Sequence, residues 1–583
     1  LPLDAALRDR LAPFMATGQV ERLDAQWEGA PDAGGKYKVR TRASGLTLPA
    51  DAASGRPGLS GLTLEADFDQ AGGKGRLEVA RGAMELPGLL AEPRVPLDQL
   101  AADLQWQHGA ERSAVQATGI RIANADVQAE GQASWRTGEG ARRWPGVLDL
   151  QLTIARAEGN RVWRYLPAKL PAAREYVRDA VLAGRAVDGR VRLKGDLHDF
   201  PFADPRSGEF RLSAKVRDAV LAYVPAATPA GTRLPGTPAW APLVALSGEL
   251  VFDRQAMQVR NARGQFAGAT GLQVQAEASI PDLAHPVVGV TGTVRGPLGQ
   301  ALSVFNASPL AASMGQPLAR MAATGSTELR LQLSLPVAQI DQSKVQGSVA
   351  LSGNDLVLAP GVPALSRARG TVSFTERGFT LAGVQARALG GDVRIEGGSR
   401  PNASGAEPLA SVRAQGTATA EGLRQSRELA GLSSRLARQA TGSTPYSVTV
   451  DLRPAGADVL VTSSLQGLAL PLPAPLGKPA EASMPLRVQV QHPAGTARPQ
   501  DQLRVEIGRA VQALYVRDIA GPQPAVLRGA IAVGLAAGEA LPPLPERGVA
   551  GQLNLGALDL DAWEDVFSPP AGAPGAAAAP AAA

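Results

Sequence analysis

The sequence predicts a mainly β protein in which one elongated, curled antiparallel sheet forms a long groove, with a few short α-helices as lids or caps. Three observations predict this class. Short segments in which apolar and polar residues alternate recur along most of the 583 residues, as in strands with one buried face. Gly and Pro, at 65 and 46 residues, supply the turns between them. A weak internal repeat is the third.

The segment LRLQLSLP, residues 329–336, illustrates the alternation. Its leucines are separated by single polar residues, so in a strand all of them lie on one face. Pro336 ends the run, because proline has no N–H to offer a sheet. The same pattern occurs in GRLEVA (75–80), LDLQLTIARA (148–157), RVRLKGDL (190–197), LQVQAEASI (272–280), YSVTVDL (446–452) and LRVQVQ (486–491).

The internal repeat aligns residues 243–268 with residues 363–390, and a fainter copy covers residues 59–86. Each copy is predicted to be a strand, a tight turn and a return strand. The alignment matches Gly248, Leu250, Phe252, Met257 and Val259 with Gly370, Val372, Phe374, Phe379 and Leu381. In the fainter copy, Phe68 takes the position of Phe252 and Phe374. Because one such hairpin cannot bury its own apolar face, its repetition predicts a stacked, elongated architecture.

Helical signals are few. Pro171 begins and Gly184 stops the segment PAAREYVRDAVLAG, whose apolar residues share one face. We expect four segments: a β-groove over 1–225 with a helix near 171–183, β-groove repeats over 226–410 with helices near 298–323, a β-groove over 411–567 with a helix near 422–440, and a disordered Ala/Pro tail over 568–583.

Composition excludes several classes of function. The net charge is only +5, and no basic run with interleaved aromatic residues indicates binding to nucleic acid. The chain has no cysteine, which excludes thiolate catalysis, disulfides and cysteine-ligated metals. No run reaches the roughly 18 apolar residues of a membrane span. We expect any anchor or export signal to lie upstream of Leu1.

The lack of catalytic motifs in the sequence predicts that the protein is not an enzyme. The four histidines are far apart in sequence, and none has a partner at metal-ligand spacing. His198 lies beside Asp196 and Asp199, a pattern that favours a locally hydrogen-bonded turn over an acid–base site. There is no nucleophile elbow, and GGKGR at 72–76 lacks the spacing of a phosphate-binding loop. We therefore predict no catalytic residue, no metal and no cofactor.

Several longer stretches resemble one family. They are VWRYLPAKLPAAREYVRDAVLAGRAVDGRVRLKGDLHDFPF (162–202), GEFRLSAKVRDAVLAYVP (208–225), VRGPLGQALSVFNASPL (294–310), SSLQGLALPLPAPLGKPAEASMPL (463–486) and ERGVAGQLNLGALDLDAW (546–563). Together they resemble the YhdP branch of the AsmA-like proteins of the Gram-negative envelope. The resemblance implies a periplasmic protein, tethered to the inner membrane by a helix outside this segment, that moves phospholipid towards the outer membrane along a β-groove. It also implies contact with both membranes and with envelope protein partners.

On this interpretation the leucines of LRLQLSLP face acyl chains. As a set, we predict that the groove is lined by Leu148, Leu150, Leu152, Ile154, Val191, Leu193, Leu250, Phe252, Val259, Leu329, Leu331, Leu333, Leu335, Val372, Phe374, Leu381, Val448, Val450, Val488 and Val490.

Two other interpretations stay open. One is a periplasmic scaffold or assembly factor for outer-membrane proteins, as proposed for the related TamB-like proteins, whose trough would hold nascent strands by edge pairing. The other is an adhesin or carbohydrate-binding array, which predicts aromatic platforms. The seven Trp and six Tyr are dispersed in the sequence, which argues against the array. Lipid or peptide in the trough would distinguish the first two interpretations.

Overall fold

A computed structural model describes residues 16–567 except 30–35, 54, 110, 226–239, 309–319, 360, 401–407, 427–437, 454–455, 494–498, 522–523, 537–538 and 556–558. The predicted fold class is confirmed, because the described chain is mainly β and its strands form one open sheet of 30 strands with few helices. Contacts divide the chain into two compact units. Unit 1 is Leu1–Arg295 with Val304–Ser313 and Leu331–Lys344, and unit 2 is the remainder to Ala583.

The first strands run through unit 1 to its boundary. They are β1 (Thr17–Glu28), β2 (Lys36–Leu48), β3 (Gly58–Asp69), β4 (Gly72–Glu85), β5 (Arg94–Leu97), β6 (Gln99–His108), β7 (Ser113–Ala123), β8 (Val127–Arg136), β9 (Val147–Glu158), β10 (Val181–Asp196), β11 (Gly208–Leu221), β12 (Leu243–Asp253), β13 (Ala256–Phe266), β14 (Ala269–Ile280) and β15 (Val287–Pro297).

The remaining strands begin after residue 320. They are β16 (Ala322–Ala323), β17 (Ser326–Pro336), β18 (Lys344–Val357), β19 (Leu365–Thr375), β20 (Gly378–Ala388), β21 (Gly391–Ser399), β22 (Ala410–Thr419), β23 (Thr441–Arg453), β24 (Gly456–Ser463), β25 (Leu468–Ala469), β26 (Leu486–Gln491), β27 (Gln500–Ile507), β28 (Val511–Asp518), β29 (Ala525–Val533) and β30 (Gly548–Leu553).

The sheet is a meander in which sequence neighbours pair antiparallel, as short turns between strands require. Three short strands are bypassed, since β4 also pairs with β6, β15 with β17, and β24 with β26. The pairing of β29 with β30 is parallel, so the predicted antiparallel sheet contains one parallel pair among the described strands. The longer connection from residue 533 to residue 548 allows the chain to return to the same end before it pairs.

The described helices are short: α1 (Pro171–Ala180), α2 (Leu298–Asn306), α3 (Ala420–Gln425) and α4 (Leu560–Phe567). The helix expected near 171–183 ends earlier, because Val181 already begins β10 and pairs with β11. Of the helices expected near 298–323 and 422–440, residues 309–319 and 427–437 lie outside the described residues, as do residues 568–583. Among the described helices, none combines the length and apolar character needed to cross a membrane.

The repeated hairpins are confirmed. In the β12–β13 hairpin, Leu250 pairs with Val259 and Phe252 with Met257. In the β19–β20 hairpin the aligned residues pair in the same register, Val372 with Leu381 and Phe374 with Phe379. The β3–β4 hairpin places Phe68 one residue before the turn in the same way.

Many strands in both units contain a β-bulge. On these strands, which do not include β6, β8, β9 and β14, one residue adopts a left-handed backbone, and in several pairs the register shifts beside it. Such residues include Gly45, Gly61, Gly119, Asp188, Asp218, Asn261 and Gly383, each with φ between 51° and 76°. A bulge bends a strand and increases its twist, so a row of bulges on neighbouring strands bends the sheet along that row.

The bulges separate two environments. Close to the bulges, and between them and one end of the strands, small side chains and a few leucines are buried. They form the clusters around Leu62 in unit 1 and around Ala368 in unit 2. Helices α1 and α3 connect strands at this side, which we call the capped end. The opposite strand ends carry the turns at 69–72, 136–147, 196–208, 253–256 and 375–378, and we call them the open end.

Candidate functional site

All twenty residues predicted to line a groove are half-buried, neither packed into a core nor fully exposed. The well-packed side chains of the molecule belong to other residues, such as Leu62, Val79 and Leu97 at the capped end. A row of aliphatic side chains that is only partly covered has apolar surface left to bury. We call the surface that these residues form within each unit the half-buried face.

In unit 1 the predicted residues pair across neighbouring strands. Leu150 on β9 lies opposite Ala133 on β8 and Leu193 on β10. Leu152 likewise lies opposite Val191 on β10, and that valine faces Leu212 on β11. Directly opposed residues have Cβ atoms about 5 Å apart on the same side of a sheet. The half-buried face therefore passes from strand to strand without a polar interruption at these positions.

In unit 2 the face is built largely from valine. Val450 on β23 lies opposite Val412 on β22 and Val459 on β24, and the latter pairs with Val490 on β26. Two residues along each strand, a second row on the same face runs through Val448, Val461, Val488 and Val505. Valine is stiff and short, so the row projects only a shallow layer of methyl groups.

Strand β17 shows the two faces most directly. Leu329, Leu331 and Leu333 are half-buried, whereas Arg330 and Gln332 between them are exposed. Arg330 forms an ion pair with Glu328 on its own strand, at 2.7 Å. From Leu329 to Leu333 burial alternates as the sequence predicts, whereas Ser334 is half-buried like the leucines beside it.

Aromatic side chains concentrate at the open end, which strand-by-strand reading did not predict. Phe68, Trp106, Val115, Trp135 and Leu148 form one cross-strand row over β3 to β9, with Gly73 completing it on β4. The ring centroids of Phe68 and Trp106 are 6.1 Å apart. The internal repeat of the sequence gave one indication of this aromatic row, because every copy has a phenylalanine just before its turn.

This row borders a cavity of about 1010 Å³ at the open end of unit 1. Its lining spans β2 to β10, from Lys38 to Lys194. In a flat sheet those strands would be seven spacings, or about 34 Å, apart. Since both lysines line one cavity, the sheet curls within unit 1.

A polar cluster holds the 159–180 connection at the capped end of unit 1. The carboxylate of Asp126, which is buried, accepts a hydrogen bond from Arg164 Nη1 at 2.8 Å and one from Tyr165 Oη at 3.2 Å. Asn124 Nδ2 donates to Tyr165 Oη at 3.1 Å, and burial raises the pKa of that phenol. Further along, Tyr176 Oη donates to the Tyr223 carbonyl at 3.0 Å, which docks α1 on the chain that follows β11.

His198 is held by local contacts, as predicted. Its backbone N–H donates to Asp196 Oδ1 at 3.0 Å, which caps the short 3-10 helix Leu197–Asp199. Asp199 is engaged by Arg142 Nη1 at 3.0 Å. Within the residues that the structure describes, no three His, Asp or Glu side chains come together as a metal site would require.

These features define a class of protein: an all-β chain whose open, bulged sheet presents a half-buried apolar face on many successive strands. The chain belongs to the YhdP family, whose model, described as YhdP protein, matches residues 1–582. It is 22% identical over 474 residues to a protein of Escherichia coli (strain K12) named intermembrane phospholipid transporter YhdP. The matched region covers 80% of this chain and 34% of that relative, so the chain spans about a third of the relative's length. No solved structure matches the chain.

Proposed function

We propose that this chain transports phospholipids across the periplasm without chemistry, with acyl chains sliding along the half-buried face between inner and outer membrane. One observation carries the proposal: the residues of this face share register across consecutive strands, yet none of the twenty predicted ones is packed into a core. The name of the Escherichia coli relative supports phospholipid as the cargo.

The physical reason is the cost of exposing acyl chains to water. Two chains of about sixteen carbons would cost about 25 kcal/mol to expose, at roughly 0.8 kcal/mol per CH₂. A continuous apolar lining removes most of that barrier at each position along the path. The headgroup remains in water at the open end, so no charged group has to be buried.

The proposal extends to location and partners. The protein lies in the periplasm and is tethered to the inner membrane by a segment outside these residues. Its partners are phospholipids, the two membranes and envelope proteins at either end. No catalytic residue, metal or cofactor takes part, and nucleic acid is not a ligand. The twenty lining residues act as a set and have no individual roles.

The assembly-factor alternative is less favoured by the same observation. Nascent strands would pair with the backbone of a free sheet edge, whereas the half-buried residues project from the face of the sheet. Edge pairing would leave those side chains without an apolar ligand to cover them. Acyl chains satisfy them without any hydrogen bond.

The proposal is tested by photo-crosslinking on strand β9 in cells. A benzophenone amino acid at 150 or 152 lies on the half-buried face, and at 151 or 153 it lies on the exposed face of the same strand. We expect phospholipid adducts at 150 and 152 only, detected by mass spectrometry of the purified protein. Adducts of equal yield on both faces, or peptide adducts at 150 and 152, would contradict the proposal.

A further inference from the structure

Two exposed aromatic rings lie on neighbouring open-end turns of unit 1. Trp144 belongs to the 136–147 turn and is 68% exposed, and Phe200 belongs to the 196–208 turn and is 46% exposed. The first turn leads into β9 and the second leaves β10, and these two strands pair with each other. Both rings therefore have apolar area in water that a ligand can cover.

The ring of Trp144 lies against the half-buried face. It stacks on Trp135, with ring centroids 5.2 Å apart and ring planes inclined by 27°. Trp135 lies opposite Leu148, one of the residues predicted to line the groove, so its ring belongs to that face. Trp135 Nε1 donates to the Pro145 carbonyl at 2.9 Å, which fixes the turn that carries Trp144. Trp144 therefore extends the half-buried face beyond the ends of the strands.

Phe200 extends the same face on the next turn. Its ring meets that of Phe210 edge to face at a centroid distance of 5.1 Å, and Phe210 lies opposite Leu193 of the half-buried face. Phe202 fastens the turn, because its buried ring covers Gly195 so closely that a Cβ atom there would lie 2.6 Å from Phe202 Cε1. The turn thus folds back onto the sheet and holds Phe200 beside Phe210.

Contacts between the two turns fix the exposed rings relative to each other. Arg142 Nη1 lies 3.0 Å from both carboxylate oxygens of Asp199. The backbone N–H of Leu197 donates to the Gly146 carbonyl at 2.9 Å. Both contacts join residues that are close in sequence to the two rings. Trp144 and Phe200 therefore form one element, which we call the aromatic lip.

The lysines of the open-end cavity project from the other face of the sheet. Each of them lies directly opposite an acidic residue: Lys38 opposite Asp69, Lys74 opposite Asp67, and Lys194 opposite Asp149. A ligand on the half-buried face therefore meets aromatic and aliphatic side chains rather than these ammonium groups. The aromatic lip suits an apolar group or an uncharged polar group.

The indole N–H of Trp144 is available to such a group. Trp135, Trp163 and Trp563 donate their indole N–H groups to backbone carbonyls, whereas Trp144 Nε1 donates to no residue that the structure describes. An indole at the boundary between an apolar surface and water combines apolar contact with a hydrogen bond to a polar partner. In a phospholipid the ester carbonyls lie at that boundary, between the acyl chains and the headgroup.

We propose that the aromatic lip holds the glycerol–ester region of a diacyl phospholipid, with Phe200 against the first acyl carbons and Trp144 Nε1 donating to an ester carbonyl. The acyl chains then lie on the half-buried face, and the headgroup extends past the strand ends into water. This deepens the proposed transport function and rests on it. The two rings bind the part that diacyl phospholipids share, irrespective of headgroup charge.

The test compares lipids that differ only at the ester. The whole chain is incubated with vesicles that contain equal amounts of diester and diether phosphatidylcholine with identical hydrocarbon chains, and the retained lipid is measured by mass spectrometry. Trp144→Phe keeps a ring and removes the N–H. Trp163→Phe is the matched control, because its N–H donates to the Asn160 carbonyl of the protein. A second pair, Phe200→Ala and Leu89→Ala, removes an exposed apolar side chain from the lip or from the capped end, where Leu89 is 54% exposed.

We expect the whole chain and Trp163→Phe to retain diester over diether lipid by about threefold, the ratio that one hydrogen bond supplies, and Trp144→Phe to retain both equally. Phe200→Ala should retain about threefold less of both lipids, whereas Leu89→Ala should retain as much as the whole chain. Replacing phosphatidylcholine by phosphatidylglycerol in both lipids should leave these ratios unchanged.

The possible failures are distinguishable. A diester preference that persists in Trp144→Phe overturns the aromatic lip, as does equal retention of the two lipids by the whole chain. Both results leave transport standing, because lipid is still bound. An unchanged lipid load in Phe200→Ala overturns the contact assigned to that ring, and a ratio that changes with headgroup charge overturns charge-independent binding. Absence of bound lipid from the whole chain overturns both the lip and the transport proposal.

Discussion

The ring of Phe374 on β19 covers Gly347, its directly opposed residue on β18. A Cβ atom at Gly347 would come within 2.7 Å of Phe374 Cε2 and 2.8 Å of Cε1. The glycine therefore provides the space in which the ring lies flat against the sheet. A ring that lies on the backbone projects less into the space above the half-buried face.

Other aromatic residues of the face have the same relationship with a glycine. Tyr515 covers Gly529 across β28 and β29, and the rings of Phe68 and Trp106 approach each other over Gly73. Aromatic rings that cover cross-strand glycines shield the backbone at those positions. The face thus gains apolar area without bulky obstacles, which suits a path along which chains slide.

The change Gly347→Ala should therefore narrow the face. The new methyl group displaces the Phe374 ring from the sheet, and the ring then projects over the neighbouring strands. We expect phospholipid retained by the purified protein to fall severalfold, measured by mass spectrometry, while the circular dichroism spectrum is unchanged. The matched control is Gly289→Ala on β15, where the nearest atom to the new Cβ, Ser279 Oγ, is 3.4 Å away. Equal lipid retention in the two variants would contradict the role given to the ring.

The turn at 196–208 is held by one buried side chain. Phe202 is 0% exposed, whereas Phe200, two residues earlier, is 46% exposed. Phe202→Ala should cost about 3 to 5 kcal/mol, because it leaves a cavity beneath the turn. Phe200→Ala should cost about 1 kcal/mol, since half of that ring already lies in water. Hydrogen exchange of the β10 and β11 amides measures both, and similar protection in the two variants would contradict this assignment.

The sequence pattern predicted the faces of the strands well because burial on one side imposes a period of two. At β9, Leu150 and Leu152 are half-buried and Gln151 and Thr153 are exposed, and at β17 the same alternation runs from Leu329 to Leu333. The pattern failed where a bulge inserts one residue and shifts the period. Gly61, Gly119 and Gly383 mark such shifts by their residue type, but Ala245 and Arg367 adopt the same left-handed backbone without any signal in the sequence.

The open-end cavity could not be predicted, since its lining comes from strands far apart in the chain. Phe68, Trp106 and Trp135, which line it, belong to no common motif in the sequence. Their proximity depends on how strongly the sheet curls, which depends on the summed effect of many bulges. The alternation of apolar and polar residues within a strand does not determine how strongly the sheet curls.

Lys478 fastens the connection between β24 and β26 in unit 2. The residue is 7% exposed, and its Nζ donates to the carbonyls of Leu465 at 2.8 Å and Pro479 at 3.0 Å, and to that of Leu468. Burial lowers the pKa of this ammonium group. Lys478→Met keeps the aliphatic stem but leaves these carbonyls without their donor.

We expect Lys478→Met to destabilise that connection by about 2 to 4 kcal/mol, because buried acceptors lose their partner. Hydrogen exchange and limited proteolysis over residues 464–485 report the loss. Lys215→Met is the control, since that side chain is 62% exposed in its ion pair with Asp188. Unchanged protection of 464–485 in Lys478→Met would show that the ammonium group is dispensable.

The pair of Asp149 and Arg192 should make unit 1 sensitive to acid. The hydrogen bond from Arg192 lowers the pKa of Asp149 below its usual value of 3.8. A carboxyl group whose pKa is lower in the folded state stabilises that state above the unfolded pKa, and this contribution is lost as the pH falls through the folded pKa. The free energy of unfolding of the wild type should exceed that of Asp149→Asn at about pH 6, and the difference should shrink as the pH falls below 3.8. A difference that does not change with pH would contradict the assignment.

The most direct test of the transport proposal uses the two faces of β17. Leu331→Asp/Leu333→Asp places two carboxylates on the half-buried face, where an approaching acyl chain would have to desolvate them. The strand itself should survive, because both positions are only half-buried and water can still reach the new carboxylates. Phospholipid transport between membranes should fall by at least about tenfold, since each buried charge costs several kcal/mol.

The matched control, Gln332→Asp/Ser334→Asp, adds the same charge to the same strand on its other face, where Gln332 is exposed. It should transport lipid as the wild type does, so that a loss seen only in the leucine variant is due to the face and not to the charge. Hydrogen exchange of β17 checks that both variants keep the strand. Transport retained in the leucine variant, with the strand intact, would mean that acyl chains do not cross β17 on this face.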